Sequence, residues 1–182
     1  MKAVFLDRDG TIVVEKGYIT VAGAIELIPG AADAIVRLRA GGWKVYVATN
    51  QGCVGKGMIT EEELGEINFR MVSMLGAEGA ELDGIYVCPH HPEGTVPDFA
   101  IECDCRKPRP GMLERAASEN GLDLTQCVMI GDTMRDLGAA RAAGARAILV
   151  LTGHGSDTVT QEHGAEHVAA DLAAAVDWLL SR

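Results

Sequence analysis

Cys88-Pro89-His90 and Cys103-Asp104-Cys105 are two pairs of soft metal ligands, each with one residue inside it and twelve residues between the pairs. Thiolate and imidazole in a four-ligand set match tetrahedral Zn²⁺, and two short-spaced pairs across a loop are the usual way to close a structural site. His91 is the alternative to His90, and spacing does not choose between them. The blander reading is a set of buried cysteines beside a surface histidine. It leaves Pro89 to Pro110, an aperiodic stretch rich in Pro, His and Cys, with nothing to order it.

Four other elements stand in order along the chain. In Phe5-Leu6-Asp7-Arg8-Asp9-Gly10-Thr11 two carboxylates stand two residues apart where an apolar run ends. A period of two turns Asp7 and Asp9 to the same side, and in an open parallel sheet ligands sit beyond the carboxyl ends of strands. Val45-Tyr46-Val47-Ala48-Thr49-Asn50-Gln51-Gly52 ends a second apolar run on a hydroxyl, two amides and a glycine. Arg106-Lys107-Pro108 puts two cations before a helix start, and Val128-Met129-Ile130-Gly131-Asp132-Thr133-Met134-Arg135-Asp136 ends a third run on Asp. Each has a plain structural alternative: a strand-to-turn transition, a polar strand end, a solvated basic pair, and helix capping by Asp132 with a dipole contact from Asp136.

The elements that must position these residues alternate in type. Strands are expected at Lys2 to Leu6, Lys44 to Ala48, Gly84 to Val87, Val128 to Ile130 and Arg146 to Leu151. Helices are expected at Ala31 to Arg39, from the Thr60-Glu61-Glu62-Glu63 capping box to about Leu75, from Pro110 to about Asn120, at Arg135 to Ala143 and at Asp171 to Leu180. This alternation predicts an α/β fold with a parallel sheet covered by helices. With 182 residues, 48% of them hydrophobic, residues 1–182 are expected to form one domain, with the zinc-binding loop over about 88–105.

Sixteen basic against 26 acidic residues give a net charge of −10, which argues against nucleic-acid or anionic-membrane partners. The longest apolar runs are strand-sized, far short of a membrane span, and the opening run passes directly into Asp7, so a cytoplasmic protein is expected. Five cysteines without an export signal argue against a disulfide framework. Cys127 reads as packing, Cys53 as an accessible thiol in a glycine-rich loop, and His154, His163 and His167 as surface or loop residues.

Taken together, Asp7-x-Asp9-Gly10-Thr11, Thr49, Lys107 and Gly131-Asp132-x-x-x-Asp136 resemble the four ordered motifs of the haloacid dehalogenase-type (HAD) phosphohydrolases. With Glu15-Lys16-Gly17-Tyr18, Thr49-Asn50-Gln51, Cys88-Pro89-His90-His91-Pro92 and Cys103-Asp104-Cys105-Arg106-Lys107-Pro108, the chain is similar to the D-glycero-D-manno-heptose 1,7-bisphosphate 7-phosphatase family. The resemblance runs from Phe5 to about Gly153. It implies a three-layer Rossmann-like HAD fold without a large cap domain, in which a zinc-ordered loop is inserted. It also implies a Mg²⁺-dependent phosphatase of nucleotide-heptose biosynthesis, acting as a monomer on a small sugar bisphosphate.

By the same resemblance Asp7 forms an aspartyl phosphate, and Asp9 protonates the leaving oxygen and then deprotonates water. Mg²⁺ falls to the Asp7 carboxylate, the Asp9 carbonyl and Asp132, with Asp136 orienting from behind. Thr49 and Lys107 take oxygens of the transferring phosphoryl group. The sugar and its second phosphate fall to Glu15, Lys16, Gly17 and Tyr18, to Thr49, Asn50, Gln51 and Gly52, and to Arg106. Histidinol-phosphate phosphatase is the competing enzyme, and a noncatalytic zinc-stabilised binding module the competing class. One departure stands out: the family's Ser-Gly-Ile-x-Arg-Gly is here Gly52-Cys53-Val54-Gly55-Lys56-Gly57, whose backbone N–H groups are still expected to serve phosphate oxygens.

Overall fold

The structure is a computed structural model and describes residues 1–182. Strands β1 (Ala3–Leu6), β2 (Lys44–Asn50), β3 (Gly84–Cys88), β4 (Val128–Gly131), β5 (Arg146–Val150) and β6 (His167–Ala169) form one all-parallel sheet, ordered β3-β2-β1-β4-β5-β6. Six helices accompany them: α1 (Ala31–Ala40), α2 (Glu61–Ala77), α3 (Gly111–Asn120), α4 (Met134–Ala143), the short α5 (Gly155–Thr158) and α6 (Leu172–Leu180).

Alternation along the central strands divides the interior into two cores. Val4, Leu6, Val45 and Val47 pack on the face shared with residues of α1, α2 and α6. Ala3, Phe5, Tyr46 and Ala48 pack on the opposite face, with residues of α3 and α4. Helices on both faces of a parallel sheet make the three-layer Rossmann-like arrangement, and every β1 side chain is buried because both faces are covered. Truncating one of them, as in Leu6→Ala, would cost about 2–5 kcal/mol.

Strand order reverses around β1, whose neighbours are β2 and β4. A crevice opens beyond the carboxyl ends of strands at such a switch point. Asp7 follows β1, Thr49 and Asn50 end β2, and Asp132 follows β4, so three of the four motif elements arrive there by connectivity alone. The connections that could hold a cap stay small. Between β1 and α1 lie a 3₁₀ turn (Ala22–Ala24) and isolated bridges at Val13, and residues 89–110 between β3 and α3 contain no helix or strand.

Helix starts follow their local chemistry. The Thr60 hydroxyl accepts from Glu63 N at 3.1 Å while Glu63 accepts from Thr60 N at 2.7 Å, the reciprocal box expected there. At α4 the cap is Thr133, boxed with Asp136, so Asp132 is not spent on capping. Sequence periodicity misses β6 and α5, which span three and four residues, too few to show a period. It also ends β2 early: the ladder continues through Thr49↔Val87 and Asn50↔Cys88, because main-chain pairing does not require apolar side chains. Helix α3 begins one residue late, with Pro110 immediately ahead of it.

Candidate active site

Lys107 is 2% exposed, and its ammonium is bonded on three sides: Asp136 Oδ1 at 2.5 Å, Ala48 O at 2.7 Å and Asp7 Oδ1 at 3.0 Å. Its main chain is fixed as well, since Asn50 Nδ2 donates to Lys107 O and Lys107 N donates to Asn50 Oδ1, both at 3.0 Å. Asn50, expected as a substrate contact, thus also anchors the lysine. Burial alone would lower the Lys107 pKa, but the Asp136 and Asp7 charges hold it raised. For Asp136, burial is outweighed by Lys107 and by two bonds from Thr133, so its pKa is lowered.

The two remaining carboxylates behave oppositely. Burial, then the Asp136 charge, pushes Asp7 up to about 8 despite Lys107, with Asp132 and Asp9 adding to the rise. Asp132 is raised to about 6, again mainly by burial. Its Oδ2 accepts from His154 N at 2.7 Å, while its Oδ1 is buried without a hydrogen-bond partner. A buried acceptor left bare is costly unless something else satisfies it. Oxygens of Asp7, Asp132 and Asp136 lie within 4.8 Å of one another, and both oxygens of Asp136 already have donors. A hard divalent cation fits this donor set, with Asp7 and Asp132 as the carboxylates still able to take it.

Asp9 lies on the same rim. Its carboxylate takes the side chain of the buried Arg8 and, at 2.7 Å, the Gln51 amide, which also donates to Thr49 Oγ1 at 2.9 Å. Gln51, read as a substrate residue, is itself buried and engaged. Asp7 Oδ1 accepts from Arg8 N at 2.7 Å, which with Lys107 leaves Oδ2 as its free oxygen.

Asp7, Asp9, Glu15, Gly17, Tyr18, Thr49, Asn50, Gln51, Gly52, Arg106, Lys107, Asp132 and Asp136 all line one cleft. Lys16 does not: its ammonium turns to Glu26 at 2.7 Å and Ala24 O at 3.2 Å. Thr133, Arg135 and His154 also line the cleft and escape the motif reading. The first two sit inside the fourth motif, where its x positions hid them. His154 follows the carboxyl end of β5, and that placement was its only signal. Of the other histidines, His167 lies in β6 with its ring stacked on Trp178, centroids 4.4 Å apart.

The glycine-rich loop narrows an expectation. The N–H groups of Val54, Gly55, Lys56 and Gly57 all donate to backbone carbonyls, Gly55 to Pro89 O at 3.0 Å, so of this loop only the N–H groups of Gly52, which lines the cleft, and Cys53 are left without a backbone acceptor. A Cβ at Gly55 would stand 2.8 Å from His91 N. The glycines here let this loop lie against the irregular segment after β3. Cys53 is fully buried, not accessible.

In that segment Cys88, His90, Cys103 and Cys105 converge. Sγ–Sγ distances are 3.5 Å (Cys88–Cys103) and 3.2 Å (Cys103–Cys105), and His90 Nδ1 lies 3.3 Å from Cys105 Sγ and 3.7 Å from Cys88 Sγ. Tetrahedral zinc with bonds of about 2.3 Å to sulfur has ligand–ligand edges of roughly 3.7 Å, so the cluster could hold such an ion after slight expansion. His91 instead accepts from Glu93 N at 3.2 Å, outside the cluster.

Comparison with known proteins agrees with this geometry. The HAD-hydrolase-like family model matches residues 104–175. The D-glycero-beta-D-manno-heptose-1,7-bisphosphate 7-phosphatase of Yersinia pestis is 40% identical over 180 residues, covering 98% of this chain and 89% of its own. The D-glycero-D-manno-heptose-1,7-bisphosphate 7-phosphatase of Thermosynechococcus vestitus is 41% identical, covering 97% and 94%. The crystal structure of D,D-heptose 1,7-bisphosphate phosphatase from B. bronchiseptica, complexed with magnesium and phosphate, superposes with a TM-score of 0.88 at 35% identity over 100% of this chain and 99% of that one. The chain belongs to the D-glycero-D-manno-heptose 1,7-bisphosphate 7-phosphatase family of HAD-like hydrolases.

Proposed function

We propose that this protein removes the 7-phosphate of D-glycero-D-manno-heptose 1,7-bisphosphate through an aspartyl phosphate on Asp7. The observation that carries this reading is a cleft that holds Asp7, paired with buried Lys107, together with Asp9, and that Arg106 also lines. One cation can meet the phosphate being transferred while a second, planar cation meets the phosphate that stays. Histidinol phosphate, with a single phosphate, gives Arg106 nothing to bind.

Asp7 attacks phosphorus through one carboxylate oxygen as Asp9 gives its proton to the departing sugar oxygen. Asp9, now a carboxylate, takes a proton from water, which attacks the same phosphorus and releases orthophosphate from Asp7. Lys107 and Thr49 supply fixed positive charge and a hydroxyl where charge spreads over the phosphoryl oxygens. Asp7, Asp132 and the Asp9 carbonyl would hold Mg²⁺, which when bound neutralises the carboxylates and polarises phosphoryl oxygen. We assign Zn²⁺ to Cys88, His90, Cys103 and Cys105 as the ion that orders residues 89–110. No helix is long and apolar enough to cross a membrane, and we place the enzyme in the cytoplasm as a monomer.

The test is turnover of each anomer of the bisphosphate, of the corresponding 1-phosphate and of histidinol phosphate, with and without Mg²⁺. Mg²⁺-dependent release of one phosphate per bisphosphate is expected. Preference for histidinol phosphate would move the assignment to the competing enzyme, and no release from any of them would leave a binding module.

A further inference from the structure

We infer that Arg8 is a positioning residue for the proton transfers at Asp9, and that helix α2 holds it in place through Asn68. This rests on the reading of Asp9 as general acid and base. Arg8 is 1% exposed and does not line the cleft, so it acts on substrate only through another group.

All the hydrogen bonds of its guanidinium go to three side chains. Nε lies 3.1 Å from Asp9 Oδ2 and 3.2 Å from Asp9 Oδ1, and one terminal nitrogen lies 3.0 Å from Asp9 Oδ2 and 2.9 Å from Gln51 Oε1. The other donates to Asn68 Oδ1 at 3.0 Å, reaching across to α2. Gln51 returns its amide to Asp9 Oδ2 at 2.7 Å.

The asymmetry decides which oxygen works. Asp9 Oδ2 accepts from the Gln51 amide at 2.7 Å, shares the Nε–H at 3.1 Å and has a terminal guanidinium nitrogen 3.0 Å away, whereas Oδ1 has only its share of Nε–H at 3.2 Å. A guanidinium does not lose its proton, so Arg8 and the Gln51 amide keep donors and positive charge on the Oδ2 side and leave no room there for a proton. The transferred proton therefore resides on Oδ1. In the first step the Asp7–phosphorus bond forms, the phosphorus–sugar oxygen bond breaks and the Oδ1 proton passes to that oxygen. In the second, Oδ1 accepts a proton from water as the water oxygen replaces Asp7 on phosphorus. A lysine would supply the charge but not the planar fork that sets the carboxylate plane.

The experiment compares wild type, Arg8→Lys, Asn68→Leu and Asp9→Asn on phosphate monoesters ranging from 4-nitrophenyl phosphate to a sugar phosphate. Leaving-group release is read in a single turnover with Mg²⁺ present, so that only the first step is measured. An acidic phenol departs without a proton, so Arg8→Lys is expected to change its release little while slowing the sugar phosphate by on the order of 10². Asn68→Leu, which keeps the guanidinium and removes its outer anchor, is expected to show the same trend at smaller size. Parallel losses across the series in both variants, as loosened packing would give, overturn the proposal. If Arg8→Lys does not fold, an unchanged slope in Asn68→Leu overturns it alone. A steep Asp9→Asn beside flat Arg8 and Asn68 variants rejects Arg8 and keeps Asp9, whereas a flat Asp9→Asn rejects the acid–base reading beneath both.

Discussion

Lys107 Nζ stands 2.5 Å from Asp136 Oδ1, with both side chains closed to solvent, and this pair joins the third motif to the fourth. Asp136 uses its other oxygen to cap α4 through Thr133, so one carboxylate sets both a helix start and the catalytic ammonium. Removing the cation leaves Asp136 and Asp7 buried without their partner. Lys107→Met is therefore expected to cost about 3–5 kcal/mol at pH 8 in EDTA. The loss should shrink toward pH 5: Lys107 holds the Asp136 pKa down, and without it the carboxyl can take a proton. Urea unfolding at the two pH values measures this, and an equal loss at both would show that the pair is not ionic.

The metal-free protein is expected to lose stability as pH rises through the carboxylate range. Asp7 at about 8 and Asp132 at about 6 are both raised above the ordinary value of 3.8, by burial first. The folded state then keeps protons that the unfolded chain has released, so stability falls from near the unfolded pKa up to about pH 8. Mg²⁺ must displace those protons, and its stabilisation should grow over the same window. At a hundredfold excess over Kd it reaches about 2.7 kcal/mol. Thermal melts with and without Mg²⁺ at pH 5.5 and 8 test this. Asp7→Asn should flatten the metal-free pH dependence and abolish turnover; a profile as steep as wild type would place the responsible group elsewhere.

Gly10 separates backbone strain from metal-site damage. It has φ +81°, and a Cβ there would lie 2.3 Å from Asp132 Oδ2. Gly17 has a similar φ of +74° with nothing within 4 Å of the added carbon. Gly17→Ala should therefore cost only the left-handed penalty of about 1–2 kcal/mol. Gly10→Ala pays that and displaces Asp132, so it should also weaken Mg²⁺ in a calorimetric titration. Equal Mg²⁺ affinity in the two variants would mean that Asp132 does not hold the ion.

The motif residues were legible because they sit where buried strands end, and a parallel sheet gathers its strand ends into one crevice. What spacing does not encode is where a long side chain goes. Lys16 and Lys107 are both lysines beside candidate site residues, yet one turns out to Glu26 and the other in to Asp7 and Asp136. Between its two aspartates Arg8 carries no signal of its role in the spacing, because its partners Gln51 and Asn68 lie 43 and 60 residues away. His90 and His91 were inseparable by spacing, and the chain path after β3 directs only His90 to the thiols.

That path also ties substrate selection to the thiol cluster. An Arg106 terminal nitrogen donates to His90 O at 2.9 Å, and Arg106 follows Cys105 directly, so the ion assigned to the cluster would hold the arginine's two supports. Lys107, one residue on, has its own anchors in Asn50, Ala48, Asp7 and Asp136. Loss of the cluster metal should therefore release Arg106 and spare Lys107. In Cys105→Ser protein, kcat/KM for the bisphosphate is expected to fall about 10- to 100-fold, the worth of a charged hydrogen bond of roughly 1.5–3 kcal/mol. Hydrolysis of 4-nitrophenyl phosphate should change far less, and Arg106→Ala should reproduce the same split with the metal still bound. Equal losses on both substrates would mean that the loop supports the whole cleft and that Arg106 does not choose the substrate.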